Sequence, residues 1–258
     1  MSRSLRRRKI CVYCAKNIAK TDDHVFSREF FLVRDRHNLP KVPACGVCNG
    51  AKSKLEHYLT VVLPFAARRS QAVENLRAGI PRRLAKNQKL RKVIEETSRH
   101  LWVQEESGIY QRTRMFSFDM QKLRDLIDCI ARGLAWYHWR VYLKPDRDEV
   151  TALFFEDMGS VMLASVINEM NPAVQVHKKL GNGTVEYVGF QSASPPELTI
   201  WTIRMYGGIV MTDDVSVGKQ VRTCSLWWAI TGPQERHNQV TAALNRRASS
   251  VTHPTAPA

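Results

Sequence analysis

The sequence has no long apolar run, so a membrane-spanning helix is not predicted anywhere in its 258 residues. Such a span needs about 18 consecutive apolar residues. The longest candidate, LTVVLPFAA at 59–67, is too short and contains Pro64. The basic start MSRSLRRRKICVYC has no apolar stretch after it, so a signal peptide is not expected either. We therefore expect a cytoplasmic protein with no membrane partner.

Cysteine is scarce as well, with six residues, of which four form two CxxC pairs. Without an export signal, this arrangement favours a metal site over disulfide bonds. The isolated Cys129 and Cys224 are expected to pack as small apolar side chains. The chain has no internal repeat. GNG at 181–183 indicates a turn rather than a phosphate-binding loop, because no helical pattern follows it.

Acidic residues are few in the first hundred positions. Residues 1–100 contain 23 lysines and arginines against 8 aspartates and glutamates, a balance of +15, whereas residues 101–258 contain 16 of each. A positive field confined to one region attracts polyanions, and a nucleic-acid backbone is the commonest of them. The alternative is a solvated basic surface that only aids solubility. Hydrophobic residues make up 44% of the chain, which indicates a globular protein.

The two CxxC pairs predict one tetrahedral zinc site. They are Cys11 with Cys14 and Cys45 with Cys48, and 30 residues separate the pairs. A spacing of two lets both sulfurs of a pair reach a single ion without strain. The segment between the pairs has few apolar residues. Zinc binding, worth about 10 to 16 kcal/mol in such sites, is therefore expected to decide whether this region folds.

Between the pairs, TDDHVFSREFF predicts a short strand or hairpin arm that contains Asp23 and His24. Adjacent strand residues face opposite sides, so one of the two can face a metal while the other faces a phosphate or a water molecule. An isolated Asp-His pair is more often a hydrogen-bonded surface feature. Its place inside a zinc-bound segment favours a functional role.

After the second pair, CNGAKSKLEHYLTVVL has the spacing of a helix. Asn49 lies at its expected entrance, either as an N-cap or as a neutral oxygen ligand for a divalent cation beside Asp23. Lys52 and Lys54 are expected in the first turn, where positive charge opposes the helix dipole, so phosphate contacts explain them better. Glu56 and His57 are secondary candidates for the same site.

The order CxxC, Asp-His-Val, CxxC-Asn-x-x-Lys-Ser resembles the HNH endonuclease superfamily in its zinc-stapled form with a ββα-metal core. The resemblance covers about residues 9–60. It implies that His24 is the general base that deprotonates the attacking water. It also implies that Asp23 and Asn49 bind one magnesium or manganese ion, with Lys52 near the phosphates. A bacterial or phage setting, such as defence, would fit this family.

Two positions depart from the family pattern. The central Asn of the motif has no clean counterpart; the nearest position is around Pro40, with His37 and Asn38 close by. Ser27 stands where the family often has proline. The chemistry is consistent in other respects, because phosphodiester hydrolysis needs a base for water and a cation for the developing charge. Hard oxygen ligands suit magnesium, and thiolates suit zinc.

From 66 to 105 the chain is rich in basic residues, and Pro81 is expected to divide it into two helices. These helices either follow a duplex backbone or form a charged connector. Beyond residue 105, a helix over 119–142 with Asp119 as its N-cap is the best-patterned element. A helix near 157–170 and four strand-like segments complete the C-terminal part. The strand-like segments are VTALFF, VEYVGF, LTIWTIRMYGGIVMT and CSLWWAIT.

The sequence thus predicts an α+β fold: a small zinc-bound ββα-metal HNH domain, a basic helical connector and a C-terminal antiparallel sheet packed with helices. The expected divisions are a flexible basic arm (1–10), the HNH domain (11–65), the connector (66–105), the C-terminal α+β domain (106–243) and a disordered tail (244–258).

The predicted function is a metal-dependent endonuclease that hydrolyses nucleic acid, with double-stranded DNA as the favoured substrate. Its C-terminal domain is a candidate interface for a homo-oligomer or a protein partner. The alternatives are a zinc-dependent nucleic-acid-binding or scaffolding module that does not cleave, and a basic module that binds an acidic protein. The predicted nucleic-acid contacts are Arg6, Arg7, Arg8, Lys52, Lys54, Arg68, Arg69, Arg82 and Arg83.

Overall fold

Two short strands and a helix form the N-terminal part of the fold in this computed structural model. The structure describes residues 9–67, 70–104, 110–155, 167, 172–211, 222–224 and 226–251. Strand β1 (Thr21–His24) pairs antiparallel with β2 (Lys41–Ala44), and helix α1 (Gly46–Val62) follows at once. In α1, buried Leu59 and Val62 lie at helical spacing and face the core, whereas no residue of β1 is fully buried: Asp23 and His24 are partly buried, and Thr21 and Asp22 are exposed.

The remaining elements follow in chain order after a 3-10 turn at Leu63–Ala66. The helices are α2 (Ser70–Lys86), α3 (Gln88–Thr97), α4 (Met120–Trp139) and α5 (Gln234–Val251). The strands are β3 (Arg99–Gln104), β4 (Tyr110–Met115), β5 (Asp148–Phe155), β6 (Pro172–Leu180), β7 (Val185–Ser192), β8 (Thr199–Met205), β9 (Ile209–Met211), β10 (Arg222–Cys224) and β11 (Leu226–Pro233).

The C-terminal region is built on a five-stranded antiparallel sheet in the order β5-β11-β8-β7-β6. The central strand β8 is buried at six of its seven positions, whereas β6 is exposed along most of its length, as an edge strand is. Helix α4 packs against the sheet at β5 and β11. This arrangement confirms the predicted α+β class and the predicted cap of α4, because the Asp119 side chain accepts from the Gln121 and Lys122 amides. The expected interface on the C-terminal domain stays a prediction.

The segment after β1 packs directly into the C-terminal region, so that one hydrophobic core runs through both parts. Phe26 stacks on Tyr187 of β7 with ring centroids 5.7 Å apart. The Tyr206 hydroxyl donates to the Phe30 carbonyl at 3.1 Å. On α4, Gly133 lies so close to Val25 that an added Cβ would come within 2.9 Å of a Val25 methyl. The sheet therefore supports the segment that follows His24.

Three expectations about helices are corrected by the structure. Pro81 does not divide the basic region, since α2 continues through it to Lys86. The division falls at Asn87, whose side chain caps α3 by accepting from the Leu90 amide at 3.1 Å. The expected disordered tail from 244 is helical as far as Val251, because α5 extends through it. Asn49 is not an N-cap: Cys45 precedes the first residue of α1, and Asn49 lies inside the helix.

Two strand regions were not anticipated, namely the hairpin of β3 with β4 and the edge strand β6. The first strand of the hairpin, β3, lies within residues 66–105, which the sequence predicts as the basic helical connector. The expected helix near 157–170 lies outside the described residues apart from Ile167, and the basic arm lies outside them apart from Lys9 and Ile10. Among the described helices, none has the length and apolar character needed to cross a membrane.

Candidate functional site

Four cysteine sulfurs converge at the base of the ββα unit. Cys11 and Cys14 lie in the turn before β1, Cys45 immediately precedes α1, and Cys48 is in its first turn. Their sulfur atoms all lie within 4.8 Å of one another. Soft thiolates at this spacing suit a tetrahedral metal ion such as zinc. The predicted cysteine cluster is therefore confirmed as a group that can hold a metal.

Asn17 closes the first turn around these sulfurs. Its carbonyl accepts from the Cys11 amide at 2.8 Å, its own amide donates to Cys14 Sγ at 3.5 Å, and its side chain donates to Cys45 Sγ at 3.7 Å. Donors directed at sulfur favour the thiolate form. Asn17 was not singled out from the sequence, and its place three residues after Cys14 was the only signal there.

The ionisation of these thiols points in the same direction. Burial raises the pKa of Cys45, but hydrogen bonds from Cys48, Asn17 and Cys11 outweigh it and bring the pKa to about 6. Burial and the neighbouring thiols raise the pKa of Cys48, and burial raises the pKa of Cys11. One thiol ionises readily and its neighbours then resist ionisation. A bound cation would remove that resistance, because it stabilises all four thiolates together.

Asp23 lies at the centre of a buried polar cluster between β1 and α1. Its Oδ2 accepts from the Tyr13 hydroxyl at 2.6 Å and lies 3.0 Å from Lys52 Nζ. Lys52 also donates to the His24 carbonyl at 2.7 Å and pairs with Glu56. Burial, with the charge of Asp23, raises the pKa of Tyr13 well above its ordinary value, so the hydroxyl remains a donor. Within the described residues the Asp23 side chain has no other hydrogen bond or ion pair, and its Oδ1 is left for another partner.

Asn49 on α1 contacts β1 at Thr21, two residues before Asp23. Its Nδ2 donates to Thr21 Oγ1 at 3.2 Å, and the Thr21 hydroxyl in turn donates to the Ala44 carbonyl at 3.2 Å. This chain of bonds directs the amide nitrogen of Asn49 toward β1 and leaves its Oδ1 as a possible ligand. Residues 49 and 52 lie one helical turn apart, and residues 21 and 23 one strand repeat apart. The structure thus brings Asp23 and Asn49 to the same boundary between β1 and α1.

His24 ends β1 and is half-buried beside Lys41, its partner in the strand register. Burial, together with the charges of Lys41 and Arg28, lowers the pKa of His24 below its ordinary value of 6.5. The charges of Asp23 and Lys52 also act on the ring, so it lies within their electrostatic reach. No hydrogen bond joins His24 to Asp23 or Asn49 in the part of the chain that the structure describes. A neutral imidazole at physiological pH can accept a proton.

Of the four predicted phosphate contacts that the structure describes, two have a different role and two are exposed. Lys52 is completely buried, so the prediction that it contacts a phosphate is wrong for this arrangement. Arg83 pairs with Glu29 at 2.8 Å and ties α2 to the segment after β1. Lys54 and Arg82 are exposed, as a phosphate contact requires. Arg6, Arg7, Arg8, Arg68 and Arg69 lie outside the described residues.

Four neighbours of the site were missed or underrated from the sequence. Tyr13 gave no signal other than its place between two ligand cysteines, and Glu56 was only a secondary candidate, although its four-residue spacing from Lys52 is that of a helical ion pair. Lys41 and Arg28 are exposed basic residues beside His24, which the sequence alone does not place there. His57, the other secondary candidate, is exposed.

Comparison with known proteins adds no assignment. No protein-family model, no curated protein and no solved structure matches this chain. The likeness to HNH nucleases therefore depends on the residues and geometry described above.

Proposed function

We propose that this protein is a metal-dependent endonuclease of the HNH type that hydrolyses phosphodiester bonds in double-stranded DNA. The observation that carries the proposal is the arrangement of Asp23 and Asn49 on facing elements next to His24, above a four-cysteine cluster. Tyr13 and Lys52 hold Oδ2 of Asp23, and Thr21 holds the amide nitrogen of Asn49, which leaves Oδ1 of each residue for a hard cation. The cysteine cluster would hold a structural zinc ion.

The residues fit a magnesium or manganese ion, because they offer one carboxylate oxygen and one amide oxygen as ligands. Water molecules would fill the remaining coordination positions of such an ion. When bound, the cation would stabilise negative charge on the phosphate. His24 would take the proton of the attacking water, which requires the neutral ring that its lowered pKa provides. Lys41 and Arg28 would bind the phosphate beside His24 in place of the buried Lys52.

Outside the site, the exposed residues Lys54 and Arg82 would contact phosphates of the DNA backbone. The excess positive charge of residues 1–100 would attract the DNA to this part of the protein. Net charge of this kind steers a polyanion toward the site.

The test is incubation of supercoiled plasmid with the purified chain and magnesium or manganese, comparing the parent with His24→Ala. Loss of a general base is typically worth about 10² to 10⁴ in rate, so nicking by the variant should fall by at least 100-fold. The matched control is His177→Ala, because His177 is an exposed histidine bonded only to Glu186 in the described structure. Its cleavage should equal that of the parent.

The alternatives give different results in the same assays. A zinc-dependent binding module would retain DNA affinity in His24→Ala and show no metal-dependent cleavage in either protein. A module for an acidic protein would lack the steep fall of DNA affinity with salt that phosphate contacts produce. Cleavage that persists unchanged in His24→Ala would remove His24 from the mechanism.

A further inference from the structure

Lys52 is the most unusual charged residue in the described structure. It is fully buried, and it lies among oxygen atoms of Asp23, His24 and Glu56. A buried ammonium costs several kcal/mol of desolvation unless it is paired and hydrogen-bonded. Lys52 meets that requirement through two carboxylates and one carbonyl. Replacing a buried ion pair by apolar residues is often neutral or stabilising, so stability alone does not explain this arrangement.

The bond from Lys52 fixes the peptide group that joins His24 to Val25. The carbonyl of this peptide accepts from Lys52 Nζ at 2.7 Å, and its N–H donates to the Pro40 carbonyl at 2.9 Å. Both the carbonyl and the N–H of this peptide group are therefore held, the carbonyl by Lys52 of α1 and the N–H by Pro40, the residue before β2. This fixes the backbone from which the His24 ring projects.

The same ammonium fixes the carboxylate of Asp23. Lys52 and Tyr13 both engage Oδ2, at 3.0 Å and 2.6 Å. Two partners on one oxygen prevent the carboxylate from rotating freely and define which oxygen remains for a cation. One buried side chain on α1 thus controls the backbone of the proposed base and the orientation of a proposed ligand.

We infer that Lys52 is a positioning residue that holds the backbone of His24 and the carboxylate of Asp23 in fixed positions relative to each other. The central Asn of the HNH pattern, which would support this segment, has no clean counterpart in the chain. This inference depends on the proposed nuclease function. It replaces the phosphate contact expected from the sequence. Because Lys52 has no exposed surface, it acts through its neighbours and does not touch the substrate.

The experiment compares the parent with Lys52→Met in steady-state plasmid cleavage at saturating manganese, with Glu56→Gln and Lys92→Met as controls. Glu56→Gln removes one ion pair of Lys52 but leaves its bonds to Asp23 and His24. Lys92→Met is the same substitution at an exposed position on α3. We expect Lys52→Met to lower kcat by about 100-fold with the KM for DNA changed less than threefold, a loss within the range that mispositioned catalytic groups produce. Lys92→Met should match the parent, and Glu56→Gln should stay within about tenfold of it.

Zinc content and circular dichroism of each variant show whether it is folded. If Lys52→Met does not fold, Lys52→Arg carries the comparison, because it retains the charge but places its donors differently; a reduced kcat with unchanged KM is again expected. A folded variant with parental kcat would overturn the inference. A raised KM with parental kcat would return Lys52 to phosphate binding and overturn it as well.

Manganese binding, followed by electron paramagnetic resonance, separates this inference from the proposed function. A parent that cleaves while Lys52→Met also cleaves at the parental rate refutes only the role of Lys52. A parent that does not cleave refutes the nuclease. In that case, specific manganese binding that is lost in Asp23→Asn and altered in Lys52→Met would support positioning of Asp23, and parental binding by Lys52→Met would overturn it.

Discussion

Replacing Gly133 by alanine tests whether helix α4 supports the segment after His24 as closely as the structure has it. A Cβ at this position would lie 2.9 Å from one Val25 methyl and 3.1 Å from the other. Val25 is fully buried and β-branched, so rotation about χ1 cannot relieve both contacts. Overpacking of this kind costs about 1 to 3 kcal/mol, while alanine gains about 1 kcal/mol over glycine inside a helix. We expect a net loss of up to about 2 kcal/mol in the free energy of unfolding.

Gly79→Ala is the matched control, because Gly79 lies inside α2 and a Cβ there would meet nothing within 4 Å. It should stabilise the protein by about 0.5 to 1 kcal/mol. Urea unfolding of the zinc-loaded chain gives both values, and their difference isolates the packing cost. The Val25 amide shares a peptide with the His24 carbonyl, so cleavage by Gly133→Ala should also slow. Equal stability of the two variants would refute the close packing of α4 on this segment.

Three further outcomes are expected. Because burial and nearby cations lower the pKa of His24, and the base acts when neutral, cleavage should rise with pH through a midpoint below 6.5 and then level off; a midpoint above 7 would contradict this. Cys48→Ser should lower the bound zinc measured by atomic absorption and weaken folding, since it removes one of four ligands from a site worth about 10 to 16 kcal/mol; full zinc content would argue against the cluster. Arg82→Ala should reduce the slope of log affinity against log salt by about 1 if Arg82 contacts a phosphate, whereas the neighbouring Arg83→Ala should mainly reduce stability, because Arg83 is bound to Glu29. The same slope in Arg82→Ala as in the parent would exclude that contact.

The parts of the fold that sequence analysis predicted are those with local causes. The spacing within each CxxC pair is a property of a short turn, and the length and cap of α4 follow from its periodicity and from Asp119. Strand β6 gave only a partial signal: Val174, Val176 and Leu180 lie on one side of it, but the run His177–Lys179 breaks the alternation and most of this edge strand is exposed. The prediction of a break at Pro81 was wrong, although a proline inside a helix is uncommon. Pro81 lies on an exposed face of α2, where water can replace the helical hydrogen bond that the proline removes.

The site was predicted less completely, for a similar reason. Asp23, His24 and Asn49 follow a recognisable order along the chain, but the environment of Lys52 comes from residues 28 and 39 positions earlier. A lysine is ordinarily exposed, and only the folded chain shows that three oxygens surround this one. The same applies to Lys41 and Arg28, whose proximity to His24 depends on the strand register and the turn after β1.

The position of β1 is determined from two directions, and this explains how a small segment can hold a defined site. On one side, the cysteine cluster fixes the turn before β1 to the start of α1. On the other side, Phe26 and Phe30 join the segment after β1 to the C-terminal sheet through Tyr187 and Tyr206. The buried apolar residues of the ββα unit, such as Val42 and Leu59, belong to the same core as those of the C-terminal region, so both attachments contribute to the position of His24. The C-terminal region is thus a structural support of the site, and changes within its core should alter the site without touching it.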